Sequence, residues 1–357
     1  GDGTGAAYVF RWSGIEWIEE QQLVPLIGDF GDAFGASVAI AGDTAVIGAR
    51  RDDDSGFDAG AVYVFGFNGE DWVEQHKLLA SDGTSSAFFG SSVALSGDVI
   101  LIGASNGDGL SSGSGCAYIF RWNGRSWIEE QKLIADDLGG RGFGDEIAFS
   151  VGLSGIAGGT AVLGHHFDND AGINNGAAYV FTYNGTTWVQ TQELFAVDPP
   201  PGFGQSFGRS VAIDDDLLVI GAPFSNTTGS GDGAAYVFRY HRGSAKWNFQ
   251  EQLLPEDIPS TSFFGWSVGI SDGTAVIGAY GEFSQSGRAY VFDVAPIPAD
   301  LDCDGVVGPD DLAELLAQWG ACEPPKEGAC NADISPLDAP DGVVGSADLA
   351  ELLANWG

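Results

Sequence analysis

The stretch "FGASVAIAGDTAVIGARRDDDSGFDAGAVYVF", residues 34–65, contains three short runs rich in Val, Ala, Ile and aromatic residues, split by "AGDT" and by a loop of Asp and Gly. Runs of this length, bounded by turn residues, read as β-strands rather than helices. Gly and Asn tolerate the positive φ of a tight hairpin, so "AGDT" at 41–44 and "NGED" at 68–71 are read as hairpin turns. A fourth run, "WVEQHKL", follows at 72–78. The unit is therefore four antiparallel strands.

The unit recurs along the chain. "AYVF" or a near copy places Tyr8, Tyr63, Tyr118, Tyr179, Tyr236 and Tyr290 at intervals of 55, 55, 61, 57 and 54 residues. Within each period an "FG-x-SVA" run (Phe34, Phe89, Phe207, Phe264) precedes "AVIGA", then "GAAYVF", then a run led by Trp17, Trp72, Trp127, Trp188 or Trp247. Four-stranded units repeated at a fixed period of this size make a β-propeller. The expectation over 1–292 is an all-β propeller of about six four-stranded blades, with five to seven allowed and the terminal blade incomplete. Strand counting gives twenty-one, a number that neither five nor six complete blades uses up. The pair of runs in 6–23 is expected beside the last repeat, 264–292, closing the ring.

The same residues resemble FG-GAP repeats, found in the propellers of integrin α-subunits and in exported bacterial proteins. "AVIGAR" aligns with the Gly-Ala-Pro signature, which only Gly221-Ala222-Pro223 spells in full, and the third copy has Ile147-Ala148 in place of Phe-Gly. Integrin blades often carry a "DxDxDG" calcium loop between their first two strands. Here that turn is only "AGDT", "SGD", "DDD" or "SDGT", so the resemblance carries no calcium site to those turns. Acidic clusters fall in the next loops instead, at Asp52, Asp53, Asp54 and Asp58, and at Asp168 and Asp170, where solvated loops and metal sites are both open readings.

Charge and composition narrow the function. Fifty acidic against fourteen basic residues give a net charge of −36, which disfavours nucleic acid and anionic membranes and favours divalent cations. No apolar run is long enough to cross a bilayer. There is no Met, so an export signal removed upstream, or a missing upstream segment, is expected. Of four histidines, only His165 and His166 stand together near carboxylates, and neighbours on a strand point to opposite faces. No nucleophile elbow, "HExxH" or phosphate-binding glycine loop is present, and with fifty acidic residues no carboxylate pair singles itself out for glycosidase chemistry. A non-enzymatic protein is expected.

After Phe292 the pattern stops, and the two prolines of 293–299 mark a linker. Residues 300–357 form a separate unit written twice, "ADLDCDGVVGPDDLAELLAQWG" at 299–320 and "APDGVVGSADLAELLANWG" at 339–357. Asp300, Asp302 and Asp304 stand at positions 1, 3 and 5 of a twelve-residue calcium loop, with Gly305 at the turn, the Val306 carbonyl at 7 and Asp311 at 12. A hard cation needs six to eight oxygens, which this spacing supplies. Leu312, Leu315, Leu316 and Trp319 then follow a helical period, as do Leu349, Leu352, Leu353 and Trp356. The second loop is stretched: Asp333, Asp338 and Asp341 precede Val343 and Asp348. Of the four cysteines, Cys322 and Cys330 are the favoured disulfide pair, closing the loop between the halves, with free thiols as the alternative. Cys116 reads as a small buried residue.

A loop followed by one helix, given twice, resembles a dockerin, the calcium-dependent module that binds cohesin domains in exported bacterial assemblies. The resemblance implies a small α-helical domain with two Ca2+ ions, a cohesin-like partner and an extracellular or cell-surface location. It places partner contacts at Pro309 and Asp310 in one half and at Ser346 and Ala347 in the other. The expected function is an extracellular binding or structural protein displayed through this tail. Two alternatives stay open: a self-assembling fibre subunit joined through the tail or a propeller edge, and a carbohydrate-binding or carbohydrate-active propeller.

Overall fold

The computed structural model describes residues 4–294 except 137–145, 156–158, 171–173, 198–203, 227–230, 242, 256–258 and 282–285, and beyond 294 only 312, 315–316, 320–321 and 343–344. It opens with a hairpin, β1 (Ala7–Trp12) and β2 (Trp17–Leu23). The first full blade is β3 (Phe34–Ala41), β4 (Thr44–Ala49), β5 (Ala61–Phe67) and β6 (Trp72–Leu78). The second is β7 (Phe89–Ser96), β8 (Val99–Ala104), β9 (Cys116–Trp122) and β10 (Trp127–Leu133). The third is β11 (Ser150–Ser154), β12 (Thr160–His165), β13 (Ala177–Tyr183) and β14 (Trp188–Leu194). The fourth is β15 (Ser210–Asp214), β16 (Leu217–Ala222), β17 (Ala234–His241) and β18 (Lys246–Leu253). The fifth has three strands, β19 (Phe264–Ser271), β20 (Thr274–Ala279) and β21 (Arg288–Asp293).

All neighbours within a blade are antiparallel and sequential. The described residues up to 294 form an all-β, five-bladed propeller whose first four blades are four-stranded, preceded by a hairpin. The twenty-one strands are those counted in the sequence, but they make five blades and a hairpin rather than about six blades. Among the described residues ring closure is not found: 6–23 packs on the first blade, and no strand of the hairpin pairs with β19, β20 or β21.

Blades join through one seam repeated four times. A glycine before the third strand bridges to the opening residue of the next blade, as Gly60 to Phe89, Gly115 to Ile147, Gly176 to Phe207 and Gly233 to Phe264. A serine hydroxyl on the first strand donates to a carbonyl of the next blade's opening turn: Ser37 to Gly90, Ser92 to Ala148, Ser150 to Gly208 and Ser210 to Gly265, all at 2.8–2.9 Å. That carbonyl presses on the glycine near the end of each second strand. A Cβ on Gly48, Gly103, Gly164 or Gly221 would lie 2.0–2.4 Å from it, so only glycine lets the blades approach. In the third blade Ala148 adopts the positive φ, 62°, that glycine holds in its sisters, and the seam persists there without Phe-Gly.

Apolar burial follows the seams. Val46, Val62, Val64 and Leu78 of the first blade pack against Phe89, Ile100, Ile102, Tyr118 and Phe120 of the second. Polar clasps close the outer rim: the Gln21 side chain binds both the N–H and the carbonyl of Trp72, Gln131 those of Trp188, and Gln192 those of Trp247. Cys116 is buried and free, as its small neighbours imply, and burial pushes its thiol up to about 11.

Candidate functional site

Most residues of the expected calcium and docking sites lie outside the described residues: Asp300, Asp302, Asp304, Val306, Asp311, Asp333, Asp338, Asp341 and Asp348, together with Pro309, Asp310, Ser346, Ala347, Cys322 and Cys330. Val343 is described, in a short strand β23 (Val343–Val344) paired with β22 (Gly320–Ala321). Leu312, Leu315 and Leu316 have helical conformation, with Leu315 buried and Leu316 exposed, but among the described residues no helix is complete. Of the expected linker 293–299, Asp293 ends β21 and Val294 is buried in the last core, and 295–299 lie outside the described residues.

The acidic loops of the propeller are tied internally. In the first blade Asp52 is buried, accepts a hydrogen bond from the Tyr63 hydroxyl at 2.9 Å and meets the Lys77 ammonium at 2.7 Å. Lys77 also pairs with Asp54 and lies over the Tyr63 ring. Burial opposes its charge, but hydrogen bonds to Asp52 and Asp54 hold the ammonium above its ordinary range. The Asp53 carboxylate accepts the Asp58 N–H. The second blade repeats the device with Tyr118, Lys132 and Asp82, with the Asp82 carboxyl held low against burial by hydrogen bonds from Lys132 and Tyr118.

The third blade inverts the charge. Tyr179 faces Glu193 across the ladder where Tyr63 faces Lys77 and Tyr118 faces Lys132. Carboxylate oxygens of Asp168, Asp170 and Glu193 consequently lie within 4.8 Å of one another. Asp168 is buried, and hydrogen bonds from His165 and the Asp170 N–H outweigh burial to hold its carboxyl low. Sequence reading picked out Asp168 and Asp170 but missed Glu193. Its signal was available in the position five residues after each blade's Trp, which reads Lys, Lys, Glu and Gln in the first four blades.

The two histidines look different ways, His165 at the end of β12 and His166 in the turn that follows. His165 stacks on Tyr179 and lies 3.3 Å from Asp168. His166 packs between Phe149 and Phe167, and burial, aided by Arg209, drives it down to about 3. Arg209 itself stands 4.2 Å from the ring centres of both Phe149 and Trp266, a stack that continues through Tyr280 to Phe263.

Among the described residues, apolar surface is exposed at the two ends of the array. Val38 and Ile40 of the first blade are 62% and 58% exposed, whereas their counterparts Val151 and Leu153 are buried against the preceding blade. They line a groove of about 500 Å3 with Tyr8, Phe10, Gly35 and Ile47. At the far end Val276 and Val291 are 44% and 68% exposed, whereas Val46 and Val64 are fully buried against the next blade. Beside them Ser267 and Gly278 line a second cavity, of about 380 Å3, with Trp266, Tyr280 and Arg288. Among the described residues both ends also carry a strand edge without a sheet partner, on β1 and on β21.

No curated protein matches this chain. Five segments, 17–65, 72–120, 127–181, 188–238 and 247–292, match the family described as FG-GAP repeat. Each matched segment starts at the Trp of a fourth strand and ends in the third strand of the following blade, so the seam serine and glycine, Ser37 and Gly48 in the first, lie inside it while the acceptor carbonyl, that of Gly90, belongs to the next. These segments cover well over half of the sequence, and the chain belongs to the FG-GAP repeat family.

Proposed function

We propose that this chain is an extracellular, non-enzymatic binding and structural protein, with the propeller as a protein-binding scaffold and the dockerin-like tail as a calcium-dependent attachment. The observation that carries this is the pair of apolar end faces, exposed at Val38 and Ile40 and at Val276 and Val291, positions that the inner blades bury fully or in part. Broad apolar surface beside an unpaired strand edge binds protein by strand addition and side-chain burial. The tyrosine, lysine and aspartate groups of the first two blades neutralise one another, a use of charge that suits a scaffold. The test is binding of the full chain to a cohesin domain by calorimetry, in calcium and in chelator. Binding only in calcium supports the attachment; no binding in either buffer removes it.

A second reading, carbohydrate binding, is favoured by one feature, the aromatic group of Trp266, Tyr280 and Phe263 with Tyr280 exposed at its edge. Quenching of tryptophan fluorescence by oligosaccharides, lost in Tyr280→Ala, would support it. Unchanged fluorescence across a glycan panel would exclude it.

A further inference from the structure

The partner of the two end faces is the question left by the proposed function, on which this inference rests. We propose that it is a second copy of the chain: copies join head to tail, and β19 and β20 of one complete a blade with the β1–β2 hairpin of the next.

The two ends are the missing halves of one seam. The hairpin occupies the third and fourth strand places of a blade preceding the first: Gly5 bridges to Phe34 as Gly60 does to Phe89, and Gln21 clasps Trp72 as Gln131 clasps Trp188. What that blade lacks is its first two strands, and the groove along β1, Val38 and Ile40 is the space they would fill. The fifth blade has first, second and third strands but no fourth. Its exposed Val276 corresponds to Val46, Leu101, Val162 and Val219, each fully buried under the next blade.

The polar parts match as well. In four seams a serine hydroxyl takes the carbonyl of the next blade's opening turn, over a glycine that leaves room for it. At the far end Ser267 and Gly278 form that socket, open as the second cavity. At the near end Gly35 is the opening-turn residue that would enter it, with φ of 89° beside 85°, 86° and 88° for Gly90, Gly208 and Gly265. Trp17 is 67% exposed although Trp72, Trp188 and Trp247, at the same place in their blades, are buried. In the joint blade Trp17 lies against β18, where Glu251 holds the position of Gln131 and Gln192.

Only one third strand is needed, and the chain offers two. Residues 7–10 and 289–292 are both "AYVF", so β1 can take the ladder that β21 makes with β20, Val9 replacing Val291 opposite Val276, with no change in side chains. Within one chain no backbone pairing links the hairpin to β19–β21. A seam the chain already builds four times is thus completed from outside.

The experiment is sedimentation velocity of the full chain in chelator, which leaves the tail unloaded, over a wide concentration range. Wild type is expected to form dimers and longer species as concentration rises. Ile40→Glu blocks only the near end and Val276→Glu only the far end; both positions are exposed, and thermal melting checks that each variant keeps its fold. Each variant alone is expected to stay monomeric, and an equimolar mixture to give a species of twice the monomer mass and nothing larger. A wild type monomeric throughout, a single variant that still associates, or a mixture that stays monomeric overturns the proposal. A monomer in chelator that still binds a cohesin domain in calcium would overturn the join alone and leave the attachment standing.

Discussion

The hydroxyl of Ser37 donates to the carbonyl of Gly90, 2.8 Å away across the seam between the first two blades. The same carbonyl would lie 2.1 Å from a Cβ placed on Gly48. Serine and glycine are therefore one device, a donor and the gap that admits its acceptor.

Gly48→Ala should cost about 1–3 kcal/mol, because the obstacle is backbone of the next blade rather than a side chain that can turn away. Gly278→Ala, whose Cβ would come closest to the Ser267 hydroxyl and to no backbone nearer than 3.7 Å, should cost less in dilute monomer. Urea unfolding of the two variants checks the order, and equal losses would show that the seam is looser than its geometry.

Gln192→Ala should destabilise by about 1–3 kcal/mol, since it strips partners from the N–H and carbonyl of Trp247 together. Gln22→Ala, whose exposed amide meets only the Tyr8 hydroxyl, is the control and should lie within about 0.5 kcal/mol of wild type. Denaturation midpoints of both variants give the comparison.

Removing Lys77 as Lys77→Met leaves Asp52 buried without its cation and should cost about 3 kcal/mol. The converse change in the third blade, Glu193→Lys, places an ammonium between Asp168 and Asp170 as Lys77 stands between Asp52 and Asp54. It should stabilise the protein by about 1 kcal/mol. A lower melting temperature for Glu193→Lys would mean that the third loop needs its acid.

His166 supplies a pH signature. Its folded value of about 3 lies below the ordinary histidine range, near 6.5, so between those values the unfolded chain binds the extra proton. Its contribution to stability is whole above about pH 6.5 and is lost as pH falls toward 3. His166→Tyr, which copies Tyr280 of the fifth blade, should flatten the fall in melting temperature between pH 7 and pH 4 relative to wild type. Parallel curves would place the charge change elsewhere, and Glu146, 3.8 Å from His166 and raised by burial, would be the next group to change.

For the tail, calcium should raise the melting temperature of its unfolding step well beyond sodium chloride of equal ionic strength, because specific oxygen ligands and bulk screening differ in kind. Asp311→Ala should abolish most of that gain by removing the ligand expected at position 12 of the first loop. Identical melting curves in the two salts would remove the calcium assignment.

Strand order was legible in residues 34–65 because turn glycines and β-branched runs act locally. The number of blades was not, since it depends on which strands share a sheet, and "AYVF" at 7–10 reads the same whether it opens a hairpin or completes a blade. The lysine ties escaped for the same reason. Lys77 and Asp52 are 25 positions apart and meet only because the ladder sets Tyr63 opposite Lys77 and the loop returns Asp52 to that tyrosine. Glu193 could be seen only by comparing repeats, because nothing near it in sequence marks it as a partner of Asp168.

The substitution of Ile147 for phenylalanine has a dynamic side. In four blades the opening phenylalanine stands edge-on to the third-strand tyrosine, as Phe34 to Tyr63, Phe89 to Tyr118, Phe207 to Tyr236 and Phe264 to Tyr290. In the third blade Tyr179 stacks on His165 instead. The missing contact is internal to the third blade, so in mild denaturant β11 and β13 should exchange their amide hydrogens faster than the matching strands of the second and fourth blades.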